Sequence, residues 1–154
     1  MAFQDFEEFI AALNDHRVRY LICGAHAVAF HAQPRATKDL DVLIDPEPGN
    51  AGRALQAMRS FFGGADLGYS VSDFADPQWV IQLGVAPVRI DLLTSLAGVP
   101  DFEVAWNGRV DARFGAVDAH YLGLDTLITA KEAAGREQDR ADLTALRRAQ
   151  GRRG

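Results

Sequence analysis

Two aspartates on one short apolar run, in Asp39-Leu40-Asp41-Val42-Leu43-Ile44, constrain this chain more than any other feature. Side chains alternate along a strand, so both carboxylates project to one face while Leu40 and Val42 project to the other. Like charges side by side on a strand repel, which costs stability unless a cation sits between them. A divalent metal is the simplest such cation. The run sits within residues 21–45, read as an apolar strand, a glycine turn, a short helix, a basic loop and a second strand.

The rest of the chain arranges itself around that unit. Residues 3–16 put Phe3, Phe6, Phe9, Ile10 and Leu13 on one helical stripe, with Asp5, Glu7 and Glu8 facing away. Residues 18–23 form the first strand, and Gly24 opens a helix running from Ala25 to His31. Backbone N–H groups at such a helix start favour phosphate, and a small residue there lets a ligand approach closely. His26 and His31 lie five apart, on different helical faces, and read as structural. Cys23 reads as a buried strand residue. Pro34 ends the helix, and the loop Arg35, Thr37, Lys38 leads straight into the second strand, Asp39 to Asp45.

A crossover helix spans 50–62, with Asn50 as cap and Leu55, Met58, Phe61 and Phe62 buried. Residues 65–78 read as loop, with a short strand at Tyr69 to Val71. Strands at 79–83 and 88–93 follow, joined by a turn from Gly84 to Pro87. In the second, Val88, Ile90 and Leu92 alternate with Arg89 and Asp91, so Asp91 is a third acid able to join the pair. Residues 101–107 read as a short helix or an extended run. A hairpin turns about Gly115. Asp125 caps a helix ending near Gly135, the last helix runs from Gln138 to Ala149, and the final GRRG reads as a frayed tail. The pattern is α/β in the α+β sense: a small mixed β-sheet with helices packed on one side and helices at the C-terminus.

At 154 residues, 48% hydrophobic and 24% charged, the chain reads as one globular domain, 1–154. No apolar run approaches the ~20 residues of a membrane span, the acidic amphipathic start is not a secretory signal, and one cysteine fits a reducing compartment. A cytoplasmic protein without membrane contact is expected. The net charge of −5 argues against a broad nucleic-acid face. Lys38 and Lys131 are the only lysines among 16 basic residues, and each stands where a flexible point charge is useful.

Three carboxylates on neighbouring strands beside a phosphate-favouring helix start suit two-metal phosphoryl or nucleotidyl transfer. Gly24-Ala25, then Arg35-x-Thr37-x-Asp39-Leu40-Asp41, then Arg89-Ile90-Asp91, resembles the polymerase-β-type nucleotidyltransferase superfamily. The tail with Lys131, Arg136, Asp139 and Asp142 is similar to its small single-domain members, which include abortive-infection and toxin–antitoxin enzymes. The likeness covers residues 18–149 and implies a nucleotidyltransferase-like fold.

The resemblance implies that Asp39 and Asp41 ligate both metals, and that Asp91 holds the catalytic metal and helps deprotonate an acceptor hydroxyl. The ion would be magnesium, with manganese as an alternative. Gly24 and Ala25 would face the nucleotide phosphates, Arg35, Thr37 and Lys38 would hold the loop or the triphosphate, and Lys131 would reach the β/γ phosphates. A nucleoside triphosphate is then one substrate, the acceptor is RNA such as a tRNA end, a protein or a small molecule, and a toxin would bring an antitoxin partner. Ala25 departs from the serine or glycine usual in the family and loses a hydroxyl contact. Two competing readings are a non-catalytic binding module on the same fold and a metal-dependent glycosyltransferase, for which the chain is short.

Overall fold

The computed structural model describes residues 3–34, 37, 39–85 and 88–153, the side chains at positions 3, 4, 85 and 88 excepted. The elements in order are α1 (Phe3–Asp15), β1 (Tyr20–Cys23), α2 (Gly24–His31), β2 (Asp39–Ile44), α3 (Pro48–Phe61), α4 (Val71–Ala75), β3 (Val80–Val85), β4 (Val88–Leu93), α5 (Phe102–Asn107), β5 (Val110–Phe114), β6 (Val117–Tyr121), α6 (Leu124–Ala134) and α7 (Glu137–Arg153).

The strands form one mixed sheet of order β3-β4-β2-β1-β6-β5. β1 lies antiparallel to β2 and parallel to β6, while β2 lies parallel to β4. One of the sheet's two central strands, β1 with Tyr20-Leu21-Ile22-Cys23, is buried at every position, which is why it reads as an unbroken apolar run rather than an alternating one. Tyr20, Ile22, Leu40, Val42 and Ile44 share one face and pack against α1, α3 and the Phe74 ring of α4. Leu21, Cys23 and Leu43 share the other face and pack against Val28, Leu127, Leu143 and Leu146 of α2, α6 and α7. The mixed sheet and the C-terminal helices are as expected. The helical cover extends to both faces, because a strand buried on both sides needs apolar partners on both.

Several boundaries differ from the sequence reading for identifiable reasons. Helix α3 starts at Pro48, and its cap is Glu47, whose carboxylate accepts from the N–H groups of Gly49 and Asn50 at 2.8 and 2.9 Å. Asn50 is instead fully buried. Its Oδ1 accepts from the Arg19 N–H at 2.7 Å and its Nδ2 donates to the Asp45 carbonyl at 2.8 Å, tying the start of β1 to the end of β2. Residues 71–75, expected as loop with a preceding strand, are the helix α4. Asp73 accepts from the Ser70 N–H at 2.9 Å, and buried Phe74 anchors the turn against Trp79.

The N-cap of α6 is Gly123 rather than Asp125; a side chain there would collide with the Gly108 carbonyl. α7 continues to Arg153, so residues 151–153 are helical and not frayed. Gln150 donates to Asp125 at 2.8 Å and Arg153 reaches His31 at 3.3 Å, which holds the last turn in place. Among the described residues no helix is long and apolar enough to cross a membrane.

Candidate active site

The site grows from strand register. Asp41 on β2 faces Asp91 on β4, and Asp39 faces Arg89 two residues away on the same face, so three acids and one base share this patch of the sheet. β1 lies on the other side of β2 and places Cys23 opposite Asp41, which brings the start of α2 directly beside the acids. Gly24, the first residue of that helix, has φ +65°, and a Cβ there would fall on the Asp41 carboxylate. The glycine therefore serves both a left-handed backbone and the close seating of an acid. Gly24→Ala is expected to cost about 1–3 kcal/mol of stability and to displace Asp41. Thermal unfolding together with nucleotide titration measures both effects; unchanged nucleotide affinity would show that Asp41 can move without consequence.

These residues line a polar compartment of about 260 Å³ formed by Gly24, Ala25, Thr37, Asp39, Asp41, Arg89, Asp91, Lys131, Arg136 and Gln138. A second compartment of about 250 Å³ shares Gly24, Asp41, Asp91, Lys131 and Arg136 with it, and adds the apolar side chains of Leu93, Leu96, Leu127, Ala130 and Ala134. Together they make a cleft with a polar end, where acids and basic side chains meet, and an apolar end. A larger depression of about 690 Å³ lies near the N-terminus of α6, around Val104, Asp125 and Arg153. It gathers no cluster of acids, so chemistry rather than volume selects the first cleft.

Charge is unevenly settled inside the cleft. Burial, then the charge of Asp91, then that of Asp39, push the Asp41 carboxyl up to about 6. Asp91 Oδ1 accepts from Arg89 Nε at 3.1 Å, and the same guanidinium lies 3.7 Å from Asp39 Oδ2. Arg89, on the same face of β4 as Asp91, thus interleaves with the acids and meets Asp39 across the strand pair. Among the described residues no three Asp, Glu, His or Cys side chains converge closely enough to hold a metal ion as they stand. The donor set still fits magnesium in its chemistry. It offers carboxylate oxygens in an open polar compartment, and an Asp41 whose like-charged surroundings a divalent ion would relieve.

Lys131 is buried, and its ammonium is shared between Asp139 Oδ1 at 3.1 Å and Asp142 Oδ2 at 3.3 Å. Arg136 also donates to Asp139, from Nε at 2.9 Å and from its backbone N–H at 3.0 Å. Burial opposes the charge of Asp139, yet the hydrogen bonds from Arg136 and Lys131 hold it down to about 2. The tail motif thus folds into one ion network spanning the α6–α7 turn at Gly135, which takes the left-handed conformation. Lys131 lines both compartments from this network.

The structure brings Gly24, Ala25, Thr37, Asp39, Asp41, Asp91 and Lys131 to one cleft. Thr37 acts locally as well: its hydroxyl donates to the Asp39 carbonyl at 3.2 Å and shapes the entry to β2. Arg35 and Lys38 lie outside the described residues. Arg89, Arg136 and Gln138 join the cleft without having been singled out as site residues. Arg89 carried a signal as the residue two before Asp91 on the same strand face, and Arg136 as a member of the tail motif; Gln138 carried none. His26 packs edge-on to Phe6 and Phe114, and His31 Nε2 donates to the Leu122 carbonyl at 2.7 Å, so both histidines are structural as expected. Cys23 is buried, and burial together with the charge of Asp41 raises its thiol well above the usual range, which leaves it unreactive at neutral pH.

A family model described as nucleotidyl transferase of unknown function (DUF2204) matches residues 2–154. The chain belongs to that family. No curated protein matches the chain. The family's description supports nucleotidyl transfer at a coarse level, an activity that would use a nucleotide.

Proposed function

We propose that the chain moves a nucleoside monophosphate from a nucleoside triphosphate to an acceptor hydroxyl, in the manner of the polymerase-β-type enzymes it resembles. The observation that carries this reading is the registered pair Asp41 and Asp91 beside the Gly24 helix start, in a cleft shared with Lys131 and Arg136. Asp39, Asp41 and Asp91 would hold magnesium, which when bound screens the phosphate oxygens and lowers the pKa of the attacking hydroxyl. The backbone at Gly24 and Ala25 receives the phosphates at the head of α2. Lys131, held by Asp139 and Asp142, presents positive charge to the leaving pyrophosphate. Asp91 accepts the hydroxyl proton as the acceptor oxygen bonds to the α-phosphorus and the bond to the β-phosphate oxygen breaks. The apolar compartment around Leu93, Leu127 and Ala130 suits the nucleobase or an apolar part of the acceptor.

An RNA end, a protein or a small molecule such as an aminoglycoside remains an acceptor of equal standing, and a toxin role with an antitoxin partner follows only from the family resemblance. The second reading, a module that binds nucleotide without transferring it, rests on Ala25 and on the acids standing apart in part, with Asp39 drawn to Arg89. Incubation with each α-labelled triphosphate and magnesium, against total tRNA, total protein and an aminoglycoside panel, separates the two. Label transfer with pyrophosphate release is expected. Tight magnesium-dependent binding with no transfer to any acceptor would favour the module, and no binding at all would remove both.

A further inference from the structure

Arg89 stands where a cation would be needed. Its guanidinium spans the acids on either side of Asp41, at 3.1 Å from Asp91 Oδ1 and 3.7 Å from Asp39 Oδ2. An arginine does not give up its proton, so it can leave these carboxylates only by moving. Its side chain is 31% exposed and borders the polar compartment, so it has room to swing along the cleft. A divalent ion seeking Asp39 and Asp91 meets the same oxygens that Arg89 holds. A guanidinium released beside a triphosphate finds a planar, bidentate partner in a phosphate group.

Building on the reading of the acids as a metal site, we propose that Arg89 is a stand-in cation: a divalent ion displaces it, and the incoming triphosphate then takes it up. Metal binding and nucleotide binding are thereby coupled through one side chain. The coupling is reciprocal, so nucleotide strengthens metal binding by the same factor as metal strengthens nucleotide binding. Without nucleotide the displaced guanidinium has no anion to meet, and metal binds weakly.

The test titrates Mn2+ by electron paramagnetic resonance into wild type, Arg89→Gln and Arg89→Lys, with and without a non-hydrolysable triphosphate. For wild type, nucleotide is expected to tighten Mn2+ binding roughly tenfold or more. In Arg89→Gln, nucleotide-free Mn2+ binding should tighten about fivefold or more, and the gain from nucleotide should shrink to about twofold. Simple loss of a positive charge would tighten binding equally in both states, so an unchanged nucleotide gain overturns the proposal, as does unchanged or weaker nucleotide-free binding. Arg89→Lys keeps the charge but cannot span both carboxylates; it should move the same way to a smaller degree, and it serves alone if the glutamine variant does not fold. Asp41→Asn is the companion control. If wild-type Mn2+ binding ignores that change, the metal-site reading itself fails; if binding depends on Asp41 but Arg89→Gln leaves the coupling intact, only the role of Arg89 fails.

Discussion

Asp41→Asn is expected to lower nucleotidyl transfer by about 10³-fold or more, a loss of roughly 4 kcal/mol of transition-state stabilisation, while stabilising the metal-free protein above pH 6. The two effects share one cause. Asp41 is pressed into a buried position facing Asp91 and Asp39, and its carboxyl is pushed up to about 6 from an ordinary value near 3.8. A group raised on folding contributes its full share of stability when it is protonated in both states, below the unfolded value. That share is lost as pH rises through the folded value. In chelator, wild type should therefore weaken between about pH 4 and pH 7 by roughly 1–3 kcal/mol from this residue. The asparagine variant lacks that slope, so the two proteins should match near pH 4 and diverge by pH 8. Denaturant unfolding across that range measures it. Magnesium should restore wild type at high pH and leave the variant unmoved. If Asp41→Asn proves less stable than wild type at pH 8 in chelator, the acid is not strained, and the physical motive for a cation there is gone.

Asp139→Ala should be the most destabilising single change in the site, by about 3–5 kcal/mol. Asp139 is fully buried and accepts from Lys131, from the Arg136 side chain and from the Arg136 backbone N–H. Its removal leaves the buried Lys131 ammonium with Asp142 alone and unties α7 from the end of α6. The sign of its pH dependence is opposite to that of Asp41. Held down to about 2, Asp139 contributes stability that is present above the unfolded value near 3.8 and is lost as pH falls towards 2. Wild type should lose roughly 2–3 kcal/mol from this group across that interval, and the alanine variant should not show that loss. Asp139→Asn keeps the size and part of the hydrogen bonding, and should fall between. Its KM for triphosphate should rise more than its kcat falls, because Lys131 loses its fixed position. Wild-type stability in Asp139→Ala would show that the network is incidental to the α6–α7 junction.

Much of the cleft was legible from spacing. Asp39, Asp41 and Asp91 sit at alternating positions on strands, and alternation alone assigns their face. What spacing could not supply was the neighbour across the strand. Arg89 was visible beside Asp91, but its pairing with Asp39 depends on β2 and β4 lying parallel in one particular register. A shift of one residue would turn it to the opposite face. Lys131 carries a similar lesson. It stands eight residues before Asp139, a separation that no single helix would bridge; the left-handed turn at Gly135 brings the two together. Asn50 looked like a cap because its residue type favours that role, yet tertiary burial recruited it to join two strands, and Glu47 took the helix end instead.

By itself the sequence determined which segments alternate, which are apolar on both faces, where glycine must stand, and that three acids belong to strands able to meet. Those are local properties, set by side-chain size, charge and backbone freedom within a few residues. The tertiary structure alone decided strand order, register and the α6–α7 turn. From these follow the strain on Asp41, the counter-charge of Arg89 and the anchoring of Lys131, because electrostatic energies depend on distances of a few ångströms between residues far apart in the chain.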